Sequence, residues 1–158
     1  MSKLLETVDQ RTQLVGQNRL ELLMFRLNGR QLFALNVFKI QEVVQVPAIT
    51  ELPHRHSVVR GVIHMRGHTI PVIDLSAAIA GRPIADLENA NLIVTEYNRS
   101  VQAFLVGPVD RIVNLNWELV LPPPVGSGRQ HFLTAITHVD DKIVEILDVE
   151  RVLADIMP

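Results

Sequence analysis

The stretch over residues 60–75 contains two short apolar runs with a glycine between them. The runs at 62–63 and 70–73 are rich in β-branched residues, which favour extended backbone. Gly67 lies in the break and can adopt the positive φ that a tight hairpin turn needs. The stretch therefore predicts a strand, a turn and a second strand, a unit that must be completed by pairing with other strands.

The second strand and the residues after it carry further constraints. Pro71 cannot donate a hydrogen bond to a sheet ladder, so we expect an edge strand there, or pairing only on the side that does not need that N–H. Asp74 precedes the apolar segment 75–80, which is followed by Gly81. This order predicts a short helix with Asp74 as its N-terminal cap and Gly81 as its stop.

The remaining chain shows the same pattern of short apolar runs bounded by turn residues. Further strands are predicted at 20–27, 31–36, 37–46, 92–95, 101–106, 109–115, 133–139 and 142–147. Hairpin turns are predicted at Asn28-Gly29, at 98–100 and at Asp140-Asp141. The prolines and glycines of 121–128 indicate an exposed loop. Eight to ten short strands with few helices predict an all-β fold of barrel or sandwich type.

Both ends of the chain have helical periodicity. Leu4, Leu5, Val8 and Val15 predict an amphipathic helix over residues 2–16, ended by Gly16, within an N-terminal segment 1–18. This helix either covers the surface of its own domain or serves as a separate docking element. Residues 149–157 predict a terminal helix, and the domain itself is expected to span 19–157.

The composition limits the class of partner. The net charge of −2 gives no reason to expect nucleic acid, and no apolar run approaches the ~20 residues needed to cross a bilayer. We therefore expect a cytoplasmic protein without direct membrane insertion. The chain has 12 arginines and 3 lysines, and because arginine suits fixed ion pairs at interfaces, this ratio favours a protein partner.

Candidate chemical groups are few. His54, His56, His64 and His68 are close in sequence, and histidine is a common metal ligand, so a histidine-ligated metal protein is one alternative. Ser57, His64 and Asp74 could form a hydrolase triad, but no G-x-S-x-G motif accompanies them. No phosphate-binding or dinucleotide-binding motif is present either. We therefore expect a binding module without a cofactor and not an enzyme.

Two other features have structural explanations. Asp140-Asp141 resembles paired acids of a phosphoacceptor pocket, but aspartate also favours turns, and the turn is the preferred interpretation. Trp117 is the only tryptophan. It either anchors an interface or closes the end of a barrel.

Three motifs together resemble the CheW family of chemotaxis coupling proteins. The first is the pattern Arg-Gly, apolar positions, Met-Arg-Gly and Pro-Val-Ile-Asp-Leu over 60–75. The second is Phe-Lys-Ile-Gln-Glu-Val at 38–43, and the third is Leu-Thr-Ala-Ile at 133–136. The resemblance extends from Leu20 to about Ile156. Residues 11–21 and 97–106 resemble more narrowly the CheW-like domain of CheV, in which a receiver domain would follow Pro158.

The resemblance implies two interlocked five-stranded SH3-like β barrels and no catalytic residues. It implies a scaffold that joins the cytoplasmic tips of chemoreceptors to the regulatory domain of the histidine kinase CheA, at receptor arrays on the inner face of the membrane. It places protein contacts at Ile40, Glu42, Gly61, Arg66 and Gly67, and it implies that Glu42 meets Arg66. A separate hypothesis is that these two residues form a partly buried ion pair. The resemblance covers only the coupling domain of CheV, so it gives no basis for claiming phospho-aspartate regulation of this chain.

Two positions depart from the family pattern. Ala135 stands where the family usually has glycine, and Gly107-Pro108 stands where Asp-Gly is common.

Overall fold

The structure is a computed structural model that describes residues 19–53, 56–123 and 132–156. Within these ranges there are ten strands, two short helices and two 3-10 turns, at Val37–Lys39 and Trp117–Leu119. The strands are β1 (Arg19–Arg26), β2 (Leu32–Asn36), β3 (Ile40–Gln45), β4 (Val59–Met65), β5 (His68–Asp74), β6 (Asn91–Tyr97), β7 (Ser100–Val106), β8 (Val109–Asn116), β9 (Leu133–Val139) and β10 (Lys142–Leu147). The helices are α1 (Leu75–Ala80) and α2 (Val149–Ile156). The predicted helix within 1–18 and most of the predicted loop at 121–128 lie outside the described residues.

The strands form two sheets of five. One has the order β8-β1-β2-β10-β9 and, with α2, is called lobe 1 here; the other has the order β3-β6-β7-β5-β4 and, with α1, is called lobe 2. Lobe 2 uses consecutive strands, whereas lobe 1 combines the first two strands of the chain with the last three. The prediction of an all-β fold with two interlocked five-stranded lobes is confirmed.

The two lobes have the same topology in a different chain order. In each lobe, an antiparallel hairpin, β1-β2 or β6-β7, pairs in parallel with the second strand of another hairpin, β9-β10 or β4-β5. A short helix follows that second strand in both lobes, and β8 and β3 form the equivalent outer strands. The lobes are therefore circularly permuted copies of one arrangement.

Strands β1 and β2 are buried on both faces because they lie between two cores. Leu22 and Met24 belong to a cluster within lobe 1, while the alternating residues Leu23 and Phe25 belong to a second cluster that includes the lobe 2 interior. Neighbouring side chains of a strand point to opposite faces, so one strand can serve both cores. The second cluster therefore extends across both lobes and is called the shared core here, whereas the first belongs to lobe 1 alone.

One of the two strand-pairing arrangements predicted for Pro71 is confirmed. Strand β5 lies inside the sheet, so it is not an edge strand. Pro71 pairs with Val62 of β4, and the parallel ladder with β7 begins only at Val72. The missing N–H therefore interrupts no pairing on the β7 side.

Three local predictions are confirmed. Asp74 caps α1 by accepting a hydrogen bond from the Ala77 amide at 3.0 Å, and Gly81 ends the helix with φ 75°. The hairpin β9-β10 turns at Asp140 and Asp141, which have φ values of 51° and 64°.

The prediction of a continuous extended run over 37–46 is wrong at its start. The Asn36 side chain accepts a hydrogen bond from the Phe38 amide at 2.9 Å and caps the 3-10 turn Val37–Lys39. This turn carries the chain from lobe 1 into lobe 2. Asparagine side chains compete well with extended pairing in this way.

The hairpin predicted at Asn28-Gly29 is confirmed, because β1 and β2 pair antiparallel, but the left-handed backbone expected at its turn is not found. Five residues separate β1 from β2, and neither Asn28 nor Gly29 has positive φ. The Asn28 side chain instead donates to the Pro83 carbonyl at 2.9 Å and accepts from the Ala85 amide at 3.0 Å. Asn28 thus links a loop of lobe 1 to the segment that follows α1 in lobe 2.

The chain returns from lobe 2 to lobe 1 at Gly107, where two backbone segments approach each other closely. Its amide donates to the Arg26 carbonyl at 2.8 Å, and a Cβ added here would lie 2.3 Å from the Leu27 carbonyl oxygen. Only glycine fits without a backbone shift. This packing explains the glycine of the Gly107-Pro108 pair.

Candidate protein-binding site

The turn between β4 and β5 forms an exposed tip of lobe 2. Arg66 and Gly67 occupy it with φ values of 52° and 79°. Such left-handed pairs match the twist of a two-residue hairpin, so the predicted positive φ at Gly67 is confirmed. Arg66 shares the left-handed conformation, which the sequence alone did not indicate.

Arg66 and Glu42 form a bidentate ion pair, as the resemblance implied. The Arg66 Nη1 donates to Glu42 Oε1, and its Nη2 donates to Oε2 at 2.9 Å. The hydrogen bond from Arg66 lowers the pKa of Glu42 from its ordinary value, and the same bond raises the pKa of Arg66. The Arg66 side chain is 72% exposed and that of Glu42 is 24% exposed. The expectation of a partly buried pair is therefore wrong for its arginine, which lies at the surface.

The pair joins the two edge strands of lobe 2. Glu42 lies on β3 and Arg66 follows β4, and these strands stand at opposite edges of the sheet. The sheet must curl for the edges to meet. A backbone bridge confirms the closure: the Thr50 and Val62 amides each donate to the other's carbonyl at 2.8 Å. The Glu42–Arg66 pair thus marks the seam of a barrel.

Gly61 lies on β4 beneath this seam and is buried. It has φ 147°, and a Cβ added there would lie 2.2 Å from the Thr50 carbonyl oxygen. The glycine is required by the backbone bridge at Thr50, since no side chain fits. Its place in protein binding stays a prediction.

Ile40 and Val43 stand on β3 beside Glu42. Ile40 is partly buried and packs against the shared core, whereas Val43 is exposed. A shallow depression of about 330 Å³ lies beyond the end of β3 and is lined in part by Ile49 and Leu87. Glu42 therefore lies on the partly buried side of β3 with Ile40, and the exposed Val43 lies on the opposite side of the strand.

Lobe 1 contains an equivalent seam with inverted charges. Arg111 is the third residue of β8, as Glu42 is the third residue of β3, and its Nη2 donates to the Asp140 carboxylate at 2.8 Å. Asp140 occupies the β9-β10 turn at the position that Arg66 occupies in lobe 2. Sequence reasoning missed this pair. The available signal was that Arg111 and Asp140 occupy the same strand and turn positions as Glu42 and Arg66.

The histidines do not form a metal site in the described part of the chain. No group of three histidine, cysteine or acidic residues there is placed to hold a metal ion. His56 accepts a hydrogen bond from the Val58 amide at 3.2 Å, and His64 contacts Thr69 at 3.3 Å. His68 pairs with Met65 next to the hairpin turn, and His54 lies outside the described residues.

The proposed hydrolase triad is not assembled. His64 lies opposite Thr69 near the β4-β5 turn, whereas Asp74 lies at the far end of the same hairpin, where its amide bonds to the Val58 carbonyl. The Asp74 carboxylate is buried and is occupied by Arg60 at 2.8 Å. Asp74 therefore has a structural role and stabilises the fold.

Trp117 begins a 3-10 turn at one end of lobe 1 and is 45% exposed. Together with Ala135 it lines a pocket of about 210 Å³. Its two interpretations, an interface anchor and the closure of a barrel end, stay predictions.

No helix among residues 19–53, 56–123 and 132–156 is long and apolar enough to cross a membrane.

Comparison with known proteins identifies one family. A sequence model described as the CheW-like domain matches residues 21–157. The chain is 31% identical over 168 residues to chemotaxis protein CheV2 of Helicobacter pylori, a match that covers 96% of this chain and 54% of that protein. It is 28% identical to a probable chemotaxis protein CheW of Rhizobium etli, covering 89% of this chain and 92% of the relative. The chain thus spans about half the length of the CheV relative.

A solved structure has the same fold. The crystal structure of the scaffolding protein TtCheW from Thermoanaerobacter tengcongensis superposes with a TM-score of 0.76 and 26% identity. The superposition covers 82% of this chain and 84% of that one.

Proposed function

The chain belongs to the CheW-like domain family, and from this premise we propose that it is a chemotaxis scaffold that joins chemoreceptors to the histidine kinase CheA. Its partners are the cytoplasmic tip of the receptor and the regulatory domain of the kinase. It works in the cytoplasm at receptor arrays, uses no cofactor and catalyses no reaction. The relatives named CheW and CheV support this proposal.

The observation that carries the proposal is the exposure of an arginine that is already held in place. Arg66 is bonded to Glu42 through two of its N–H groups, yet its side chain is 72% exposed. Guanidinium has five N–H donors, so three remain for a partner. Because Glu42 fixes the guanidinium plane, less conformational entropy is lost when a partner carboxylate or carbonyl binds.

The surroundings of Arg66 suit a mixed interface. Ile40 precedes the pair on β3 and Gly67 follows it in the turn, and Val43 adds exposed apolar surface on the other side of β3. Interfaces commonly combine apolar contact with an arginine at the centre. We assign the binding face to Ile40, Glu42, Arg66 and Gly67, with Gly61 setting the backbone beneath.

The proposal is tested by binding to a receptor signalling fragment and to the CheA regulatory domain, with Arg66→Ala as the variant. We expect at least one of the two affinities to fall by about tenfold or more, the size typical of an interface hot spot. Arg99→Ala is the matched control, because Arg99 is an exposed arginine with positive φ at another hairpin tip of lobe 2. Its affinities should be unchanged.

Two results would contradict the proposal. The first is a folded, unsubstituted chain that binds neither partner. The second, which would remove Arg66 from the site, is an equal loss of affinity in the two alanine variants. Circular dichroism of both variants shows whether the fold is intact, and an exposed pair predicts that it is.

A further inference from the structure

Two open depressions adjoin each other along the loop between β1 and β2. One has a volume of about 580 Å³ and is lined mainly by residues 26–29 of lobe 1 and 82–86 of lobe 2. The other has a volume of about 590 Å³ and is lined mainly by residues 30–32 and 141–143 of lobe 1. Arg26 lines both, so the two depressions form one surface, which is called the loop surface here.

The loop surface carries an excess of positive charge. Its charged lining residues are four basic ones and two acidic ones, namely Arg26, Arg30, Arg82, Lys142, Asp86 and Asp141. The chain as a whole has a net charge of −2. Positive charge is therefore concentrated at this surface.

Most of these basic side chains have no partner of their own. Within residues 19–53, 56–123 and 132–156, the lysine and arginine side chains that form no ion pair or hydrogen bond are Arg30, Arg82, Arg99 and Lys142. All four are exposed, and three of them line the loop surface. Arg26 has only a long contact of 3.5 Å to Asp110. The donors of these groups are therefore available to a partner.

The two acidic residues do not neutralise the basic ones. The Asp86 carboxylate accepts hydrogen bonds from the Asn89 side chain at 2.7 Å and from the Glu88 amide at 3.1 Å, so it stabilises its own turn. Asp141 has positive φ in the β9-β10 turn and forms no ion pair with another described residue. Neither carboxylate is bound to a basic group of the loop surface.

The loop that carries Arg30 is fixed on both sides. The Asn28 side chain donates to the Pro83 carbonyl at 2.9 Å, and the Gln31 side chain donates to the Ile143 carbonyl at 3.0 Å. These bonds attach the loop to the segment after α1 and to β10. Because the backbone is already held, less conformational entropy is lost when a partner binds here than on a mobile loop.

We propose that the loop surface binds an extended acidic peptide segment of a partner protein. The planar donor fork of arginine matches the geometry of a carboxylate, and the exposed Pro83 and Pro108 add apolar contact between the basic groups. Arg82 lies beside one depression and Arg30 and Lys142 beside the other, so a single small anion reaches only part of the charge. An extended segment of six residues is about 20 Å long and can present several carboxylates along both depressions.

Fluorescence anisotropy of a labelled peptide tests the proposal. The probe is a fluorescein-labelled peptide of alternating glutamate and proline, about six residues long, in which proline keeps the backbone extended. In the matched peptide, glutamine replaces each glutamate. At an ionic strength of about 20 mM, where exposed charges are weakly screened, we expect the glutamate peptide to bind at least about tenfold more tightly than the glutamine peptide.

Variants of the full chain locate the binding. Arg30→Ala and Arg82→Ala should each weaken binding of the glutamate peptide about threefold, and the double variant about tenfold, because single exposed charge pairs are weak and these two lie beside different depressions. Arg99→Ala is the matched control, since it removes the exposed arginine without a partner that lies away from the loop surface. Its affinity should be unchanged. Circular dichroism of all variants verifies that the fold is intact.

Three results would overturn the proposal. They are equal binding of the glutamate and glutamine peptides, an equal loss of affinity in Arg99→Ala and the two loop variants, or tighter binding of a labelled oligothymidylate of about six nucleotides than of the glutamate peptide. The last would identify nucleic acid as the occupant. No receptor or kinase fragment is present in these assays, so their outcome is independent of the proposed scaffold function.

Discussion

Asp74 is the residue whose removal should cost the most stability for the fewest atoms lost. Its side chain is only 1% exposed and accepts three hydrogen bonds. Oδ2 accepts from Arg60 Nη1 at 2.8 Å and from the Ile84 amide at 2.9 Å, and Oδ1 accepts from the Ala77 amide at 3.0 Å. One carboxylate therefore connects β4, α1 and the segment that follows α1.

The expected loss for Asp74→Ala follows from these three contacts. Losing the helix cap costs about 1 kcal/mol. Leaving the buried Ile84 amide without an acceptor costs about 1–3 kcal/mol. Arg60 loses its carboxylate partner in a partly buried place, and removing one member of a buried pair costs about 3–5 kcal/mol in total. Since the contributions overlap, we expect about 3–5 kcal/mol.

Urea unfolding followed by circular dichroism measures this loss. With a slope of about 2 kcal/mol per molar, a loss of 4 kcal/mol lowers the midpoint by about 2 M. The matched control is Asp148→Ala, because Asp148 occupies the equivalent position in lobe 1 but has a partly exposed side chain that accepts from the Glu150 amide at 3.0 Å. We expect it to lose only about 1 kcal/mol.

Equal losses in the two variants would refute this reasoning, because they would mean that burial and the arginine contribute nothing beyond helix capping. A double-mutant cycle that combines Asp74→Ala with Arg60→Ala tests the ion pair more directly. If the two side chains interact as described, the double variant loses less than the sum of the single variants. An additive result would contradict the ion pair.

Three other predictions concern the barrel seam and the lobe contact. Gly61→Ala should destabilise the chain by about 1–3 kcal/mol because the new Cβ would lie 2.2 Å from the Thr50 carbonyl oxygen, whereas Gly29→Ala, with nothing within 4 Å, should change little in the same urea titration. The pKa of Glu42 is lowered by its hydrogen-bonded arginine, so its stabilising contribution exists at neutral pH and is lost as the pH falls; the difference in melting temperature between the parent and Glu42→Gln should disappear well below pH 4.5. Asn28→Ala should cost about 1–3 kcal/mol and increase amide hydrogen exchange at residue 85, because it removes three hydrogen bonds between the Asn28 side chain and lobe 2, to Ser76, Pro83 and Ala85.

The hairpins could be predicted from sequence because their signals are local. Gly67 between β-branched runs and the adjacent aspartates at 140 and 141 each specify a turn within a few residues. The cap at Asp74 and the stop at Gly81 were equally local. These elements agree with the structure since no distant contact competes with them.

The failure at 37–46 is local, since Asn36 caps a turn two residues away, but the others arise because a polar side chain has a distant partner. Asn28 favours a tight turn in isolation, but its amide group instead bonds to Pro83 and Ala85, more than fifty positions away. The buried pair of Arg60 with Asp74 was not predicted either, although both residues stand in the most informative stretch. Spacing in sequence does not indicate which strands of a barrel become neighbours.

The two seams show that the lobes can share a topology while using different side chains at equivalent positions. In each lobe an ion pair joins the outer strand to the tip of the opposite hairpin, and either orientation of charge can form such a pair. Lobe 2 places the acid on the strand and the arginine at the tip, with Glu42 and Arg66, and lobe 1 reverses them, with Arg111 and Asp140. Inverting the charges leaves the closure unchanged while giving the two exposed tips opposite signs. An anionic group that approaches the two tips would therefore meet an arginine in lobe 2 and an aspartate in lobe 1, so the two ion pairs also make the lobes electrostatically different.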